Sequence, residues 1–363
     1  MTAESVARNL RLWAVQNGLL DREQLGPNAD TQLRAMSVVG ITPLRDEVPE
    51  LLRPRRINFV GFNNMANEVV IYTTKAVQRR VKPKLPSAAD DGVSISYQIG
   101  APELIGKLPP SPFGTAPATL HNGRYTCGSS IHVGNRLGAG TLGCLVRTSD
   151  GAMYGLTNNH VTGNCNFASP GLPILAPGPC DVAVNGVDPF CIGHHARSLR
   201  MVHGTPDNPL VRPHENTDAA LFRIADESRV TSLQKDGAYD TPSVVGPIAP
   251  GMVVSKVGRT TGHTGGVVRS QISGPFHIRY KMPELEIDLA VFYEPLFVVQ
   301  AQSGFFAAPG DSGALVTTMD GGTRRAVGLV VAGDGSNPAV SFILPLQPIV
   351  QGFGATLVSG HNV

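Results

Sequence analysis

A mainly β protein, built from one or two antiparallel barrels behind a small α+β unit, is the fold class this sequence predicts. Three observations lead to it. The 363 residues include 41 Gly and 29 Pro, turn formers in numbers that suit many short strands better than long helices. From about residue 124 onward, short apolar runs recur between Gly, Asn and Asp: TLGCLVR, MYGLTNN, DAALFRI, MVVSKVG, GGVVRSQI, IDLAVFYE, GALVTT, AVGLVVAG and AVSFILPL. Before about residue 100 the pattern is different, with helical spacing followed by two strand-like runs.

Taken in order, positions 5–19 place Val6, Leu10 and Trp13 on one side of a short amphipathic helix and leave Arg8, Arg11 and Gln16 for solvent. NEVVIYTT (67–74) reads as a buried strand, and Val93, Ile95, Tyr97 and Ile99 alternate as a half-buried strand requires. The basic run Lys75, Arg79, Arg80, Lys82 and Lys84 between them reads as a solvated face. Pro102, Pro109, Pro110, Pro112 and Pro117 fall within residues 101–123, which predicts a stiff non-helical connector and a domain boundary there. No fixed-period repeat or low-complexity tract stands out.

A formal net charge of +2 argues against nucleic acid or a membrane surface as partner. No run of roughly 18 apolar residues offers a membrane span, and the first twenty residues lack the features of a secretory signal. Five cysteines without a C-x-x-C pair do not form a disulfide framework and suit a reducing compartment, so a cytoplasmic location is expected. The expected partner is a protein or peptide.

The segment PGDSGALV (309–316) sets Ser312 among small residues, which lets the backbone turn tightly and aim the Gly310 and Ser312 amides at one point. A serine hydroxyl needs an imidazole to take its proton and a carboxylate to orient that imidazole. His160 ends the strand-like run MYGLTNNHV, and Asp218 opens DAALFRI.

LTNNHV, TDAALFRI and GDSG resemble, in that order, the histidine, aspartate and serine motifs of trypsin-like, chymotrypsin-fold serine proteases. Separations of 58 and 94 residues fit a histidine and aspartate on a first barrel and a serine on a second. The resemblance covers about residues 124–350. It implies a chymotrypsin-like double β-barrel with His160 as general base, Asp218 as its orienter, Ser312 as nucleophile, and Gly310 and Ser312 as oxyanion donors. It also implies a specificity pocket at Phe306, Val331, Ala332 and Gly333; the absence of an acid there suggests preference for an apolar or small residue before the cut. AGTLGCLVR with LTNNHV and PGDSGALV further resembles bacterial and plant members that carry an appended N-terminal domain. The expected organisation is an N-terminal domain over 1–115 with the proline-rich linker at its end, then a protease domain over 116–363 with barrels at about 124–235 and 236–350. Unlike the digestive enzymes, His160 is followed by Val161 rather than Cys, and no I-V-G-G start follows a basic residue. Asp311 therefore needs another partner, and a cation or several backbone amides are expected around it.

Other patterns are assigned to structure. Asp288 lies only 24 residues before Ser312 and reads as a strand-start residue. Gly138, Gly140 and Gly143 fit G-x-G-x-x-G, but a strand follows where a dinucleotide site needs a helix. An α/β-hydrolase is disfavoured because G-x-S-x-G fails and the triad order differs. Cys165, Cys180, Cys191, His194, His195 and His203 match no zinc spacing, so no metal or other cofactor is expected. The alternative from another class is a catalytically silent protease fold serving as a protein-binding module.

Overall fold

The computed structural model describes residues 2–26, 28–36, 41–44, 47–100, 102–103, 120–185, 190–235, 237–282, 286–334 and 337–363. Helix α1 (Ala3–Gln16) starts where Thr2 Oγ1 accepts the Ser5 amide at 3.2 Å. It ends at Asn17 and Gly18, the glycine taking a φ of 65°. Val6, Leu10 and Trp13 are buried as the spacing requires, packed with Val60, Val69 and Ile71. Arg11 departs from expectation: it is buried, and its Nη1 donates to the Ser273 carbonyl at 2.5 Å. Burial lowers its pKa to about 10. The helix has a second packing partner, which the spacing of its own apolar residues does not reveal.

After α2 (Ala29–Arg34) and α3 (Val48–Leu52) come β1 (Ile57–Asn63) and β2 (Glu68–Thr73), an antiparallel pair. β3 (Ser94–Ile99) then lies parallel to β2, and β4 (Pro102–Glu103) follows. The five basic residues from Lys75 to Lys84 are exposed. Of the expected connector, Pro109, Pro110, Pro112 and Pro117 lie outside the described residues.

The next strands are β5 (Leu120–His121), β6 (Arg124–Cys127), β7 (Ser130–Val133), β8 (Gly140–Thr141), β9 (Cys144–Thr148) and β10 (Met153–Thr157). They continue as β11 (Pro173–Ala176), β12 (Phe190–Ser198), β13 (Ala220–Ile224), β14 (Val230–Gln234) and β15 (Tyr239–Asp240). Within this half, β9-β10-β13-β12-β11-β7-β8 form a curved antiparallel half-barrel. Two helices interrupt it, α4 (Asn159–Thr162) and α5 (Pro179–Asn185).

The second half contains β16 (Val253–Gly258), β17 (Gly262–Ile272), β18 (Phe276–Met282), β19 (Ile287–Tyr293), β20 (Phe297–Ala301), β21 (Leu315–Asp320), β22 (Thr323–Asp334) and β23 (Val340–Pro345). The order β16-β17-β20-β23-β22-β21 returns to β16, which closes a six-stranded barrel. β18 and β19 stand apart as a hairpin. Finally α6 (Leu346–Phe353) leads to β24 (Ala355–Leu357), which returns to pair with β9.

Alternation along the strands divides two cores. Val299, Val316, Val330 and Ile343 point into the closed barrel, whereas their neighbours Val298, Leu315, Leu329, Val331, Phe342 and Leu344 pack with Cys144, Leu156 and Leu221 of the half-barrel. Strands buried on both faces read as continuous apolar runs, which is why AVGLVVAG shows no alternation. The fold is a chymotrypsin-like double β-barrel preceded by a small N-terminal α+β region.

Candidate active site

β10 and β13 are antiparallel neighbours, with Leu156 opposite Leu221 and Thr157 opposite Ala220. The residues just beyond those ends therefore meet. After Thr157 the chain makes the single-turn α4, which carries His160; just before β13 stands Asp218, fully buried. Asp218 Oδ2 lies 2.5 Å from His160 Nδ1, and Oδ1 accepts the His160 backbone amide at 3.0 Å. Asn158 Nδ2 donates to the Asp218 carbonyl at 2.7 Å. Two bonds from one carboxylate fix the ring's orientation and put a proton on Nδ1, leaving Nε2 as the acceptor. Sequence reasoning missed a further donor: Tyr280 OH reaches Asp218 Oδ2 at 3.0 Å and lies 2.7 Å from Tyr293 OH. Burial, and then the nearby Asp218 charge, push both phenols well above their ordinary pKa. They remain neutral donors.

Glycines bring the serine turn to this point. Gly313 has a φ of 90°, and a Cβ there would fall 2.2 Å from Thr157 Oγ1 and 3.2 Å from the Asn158 amide nitrogen. Only glycine lets the residue after Ser312 touch the residues just before His160. Both halves hold the turn, since Thr141 N donates to the Ser312 carbonyl and Gly313 N to the Val330 carbonyl, each at 2.9 Å. Thr141 Oγ1 also donates to the Gly310 carbonyl at 2.8 Å. Among the described residues, the Gly310 and Ser312 amides, the Ser312 hydroxyl and His160 Nε2 form no hydrogen bond.

Asp311 has both kinds of partner expected of it. Fully buried, it accepts from Lys256 Nζ at 3.1 Å, from the amides of Ala308, Thr260 and Thr261 at 3.0, 2.7 and 3.2 Å, and from Thr261 Oγ1 at 2.6 Å. Lys256 is fully buried too; burial lowers its pKa, against the opposing pull of Asp311. A second buried pair stands nearby, and the Arg259 amide donates to Thr141 Oγ1 at 3.0 Å. The Arg259 guanidinium binds Asp181 through Nε at 2.9 Å and through Nη2, and Ser130 Oγ donates to that carboxylate at 2.5 Å.

The remaining sequence-predicted residues are placed as follows. Asp288 is exposed and pairs with Arg279 at 2.8 Å, whereas the His160 ring is bound by Asp218. The glycines of G-x-G-x-x-G serve close packing: a Cβ on Gly143 would fall 2.2 Å from the Gly313 carbonyl, and one on Gly140 2.5 Å from Val161. Cys165, Cys180 and Cys191 are free thiols, and no metal-binding cluster is found among the described residues. Phe306, expected at the base of a pocket, is fully buried in the closed-barrel core beside Val299 and Val330. Val331 and Ala332 are buried on β22, and Gly333 sits at its edge. No described helix is long and apolar enough to cross a membrane.

No protein-family model matches the sequence. Among curated proteins, Protein NARROW LEAF 1 of Oryza sativa subsp. japonica is 29% identical over 224 residues, which is 57% of this chain and 36% of that protein. This chain thus corresponds to about a third of the relative's length. Among solved structures, Thermobifida fusca Protease A superposes with a TM-score of 0.42 at 22% identity, covering 65% of this chain and 98% of that one. Nocardiopsis Protease gives 0.41 at 18% identity, covering 64% and 97%. A glutamic acid-specific serine protease, described as using a histidine triad in substrate binding, gives 0.43 at 17% identity, covering 64% and 100%.

Proposed function

We propose that this protein is a serine endopeptidase in which His160, Asp218 and Ser312 form the catalytic triad. The observation that carries the reading is the pair of hydrogen bonds between Asp218 and His160, one with Nδ1 at 2.5 Å and one from the backbone amide at 3.0 Å, beside a serine turn stitched to both barrels. His160 Nε2 takes the Ser312 proton as Oγ attacks the scissile carbonyl. The unengaged Gly310 and Ser312 amides receive the oxyanion, and a backbone donor in such a site contributes about 3 kcal/mol to the barrier. The imidazolium, steadied by Asp218, then protonates the leaving amine; water repeats the cycle on the acyl-enzyme.

The Lys256–Asp311 pair supports a turn that is formed without a freshly cut N-terminus. Substrates in this reading are proteins or peptides, with an apolar or small residue before the cut, because Val331, Ala332 and Gly333, the expected pocket wall, carry no charge for a basic one. Residues 1–115 act as an appended domain. The test is a fluorophosphonate probe, which reacts only with an activated serine. Labelling of the wild-type chain and its loss in Ser312→Ala is expected; an unlabelled, folded wild type would sink the proposal.

A further inference from the structure

β22 changes partners along its length. One edge pairs with β21 from Asp320↔Thr323 as far as Leu315↔Leu329, and the other with β23 from Gly328↔Pro345 to Gly333↔Ser341. β21 starts three residues after Ser312, so the edge of β22 beyond Val330 leads away from the serine turn with no barrel strand beside it. An extended peptide bringing a carbonyl to Ser312 needs such an edge, because its backbone groups lose water on entry and recover hydrogen bonds by strand addition.

In this structure the edge is taken by the chain itself. β4 pairs antiparallel with it, Glu103 opposite Gly333 and Pro102 opposite Asp334. Gly333 thus has Ser341 on one side and Glu103 on the other. β4 also touches β18, the strand that carries Tyr280. Its direction is informative: the step from Pro102 to Glu103 runs from Asp334 to Gly333, back toward Val330, whose carbonyl holds the Gly313 amide at 2.9 Å. The segment enters N-to-C toward Ser312, the polarity of the acyl portion of a peptide about to be cut. Its stem is anchored, as the Gly100 amide donates to the Thr73 carbonyl at 3.2 Å and the Gly100 carbonyl accepts from Asn58 Nδ2.

We propose that Pro102–Glu103 is a built-in competitor for the substrate edge, so that extended polypeptides bind only when this two-residue strand lifts away. The proposal rests on the peptidase reading and adds regulation to it. Apparent affinity for peptide is reduced by the fraction of molecules with the edge free, and a tethered segment holds that fraction low. Glu103→Pro leaves the segment without a backbone donor, Pro102 having none already.

The test uses the full chain carrying Ser312→Ala, with and without Glu103→Pro, and a fluorescein-labelled peptide of residues 97–106 (YQIGAPELIG) read by fluorescence anisotropy. About tenfold or greater tightening in the Glu103→Pro chain is expected; equal affinity in both overturns the competitor. Should circular dichroism show that this variant is unfolded, replacing Pro102 and Glu103 by Gly-Gly serves the same comparison. Fluorophosphonate labelling of the Ser312 chains needs no strand pairing, so it separates the two claims. Labelling with unchanged peptide affinity removes the competitor alone, whereas tightened affinity without labelling keeps the competitor and removes the peptidase.

Discussion

Replacing Lys256 by Met tests how the serine turn is held. Both members of the Lys256–Asp311 pair have 0% side-chain exposure, and they lie 3.1 Å apart. Removing one partner of a buried pair costs about 3–5 kcal/mol, because the other charge is left uncompensated. Three amides and the Thr261 hydroxyl stay on Asp311, so the expected loss is at the lower end, about 3 kcal/mol. Asp311→Asn should cost a similar amount, since its amide group would face donors already aimed at the carboxylate. The double variant removes both charges and should fall short of the sum by at least about 1.5 kcal/mol, as coupled neighbours do. Urea unfolding of all four chains, followed by far-ultraviolet circular dichroism, measures this cycle. Additivity within about 0.5 kcal/mol would refute the pairing. Asp311 sits between Gly310 and Ser312, the proposed oxyanion donors, so Lys256→Met should also slow fluorophosphonate labelling by about tenfold, or 1.4 kcal/mol; a wild-type rate would disconnect the pair from the site.

Three further outcomes are expected. Gly143→Ala drives a Cβ to 2.2 Å from the Gly313 carbonyl and should lower kcat on a casein substrate by more than about tenfold; a wild-type kcat in the folded variant would contradict the role of this close approach. Tyr280→Phe removes one donor from Asp218 and should reduce kcat roughly 3- to 10-fold with KM unchanged, in line with about 1 kcal/mol for the bond; a KM effect alone would contradict the positioning role. His195, His263 and His277 all have pKa values lowered from 6.5, burial being the largest cause. Below about pH 6.5 the unfolded chain binds more protons than the folded one at these sites, so stability should fall on acidification through that value. Urea midpoints at pH 7.5 and 5.5 measure the loss, and His195→Gln should reduce it.

The triad candidates were legible because each stands where an apolar run meets small or turn-forming residues, a signal carried within eight residues of sequence. Their supports were not. Lys256 lies 55 positions from Asp311, Arg259 78 from Asp181 and Tyr280 62 from Asp218. In the sequence each is a single polar or aromatic residue, and only the tertiary fold brings its distant partner to it. Arg11 was assigned to solvent for a related reason: helical spacing reports a helix's own apolar stripe, and Ser273 is 262 positions away. Gly143 of the G-x-G-x-x-G pattern carries a real constraint whose cause, the close approach of the serine turn, no local pattern expresses. β1 was overlooked because Asn58, Gly61 and Asn63 interrupt INFVGFN, although Phe59 is fully buried.

The N-terminal strands β1, β2 and β3 continue the sheet of the closed barrel through β17, so cutting the molecule between them exposes what each covers. β1 lies against β17, with Gly61 opposite Ile272 and Phe62 opposite Gln271. Phe59 and Tyr72 stack at 4.3 Å within the cluster that includes Phe276 and Phe342, and Arg269 is bound to Glu68. A fragment starting at residue 116 would carry a raw strand margin and a greasy scar where those rings had been. Such surfaces invite self-association, so clumping of that fragment would testify to the missing mate rather than to any fault in the barrels.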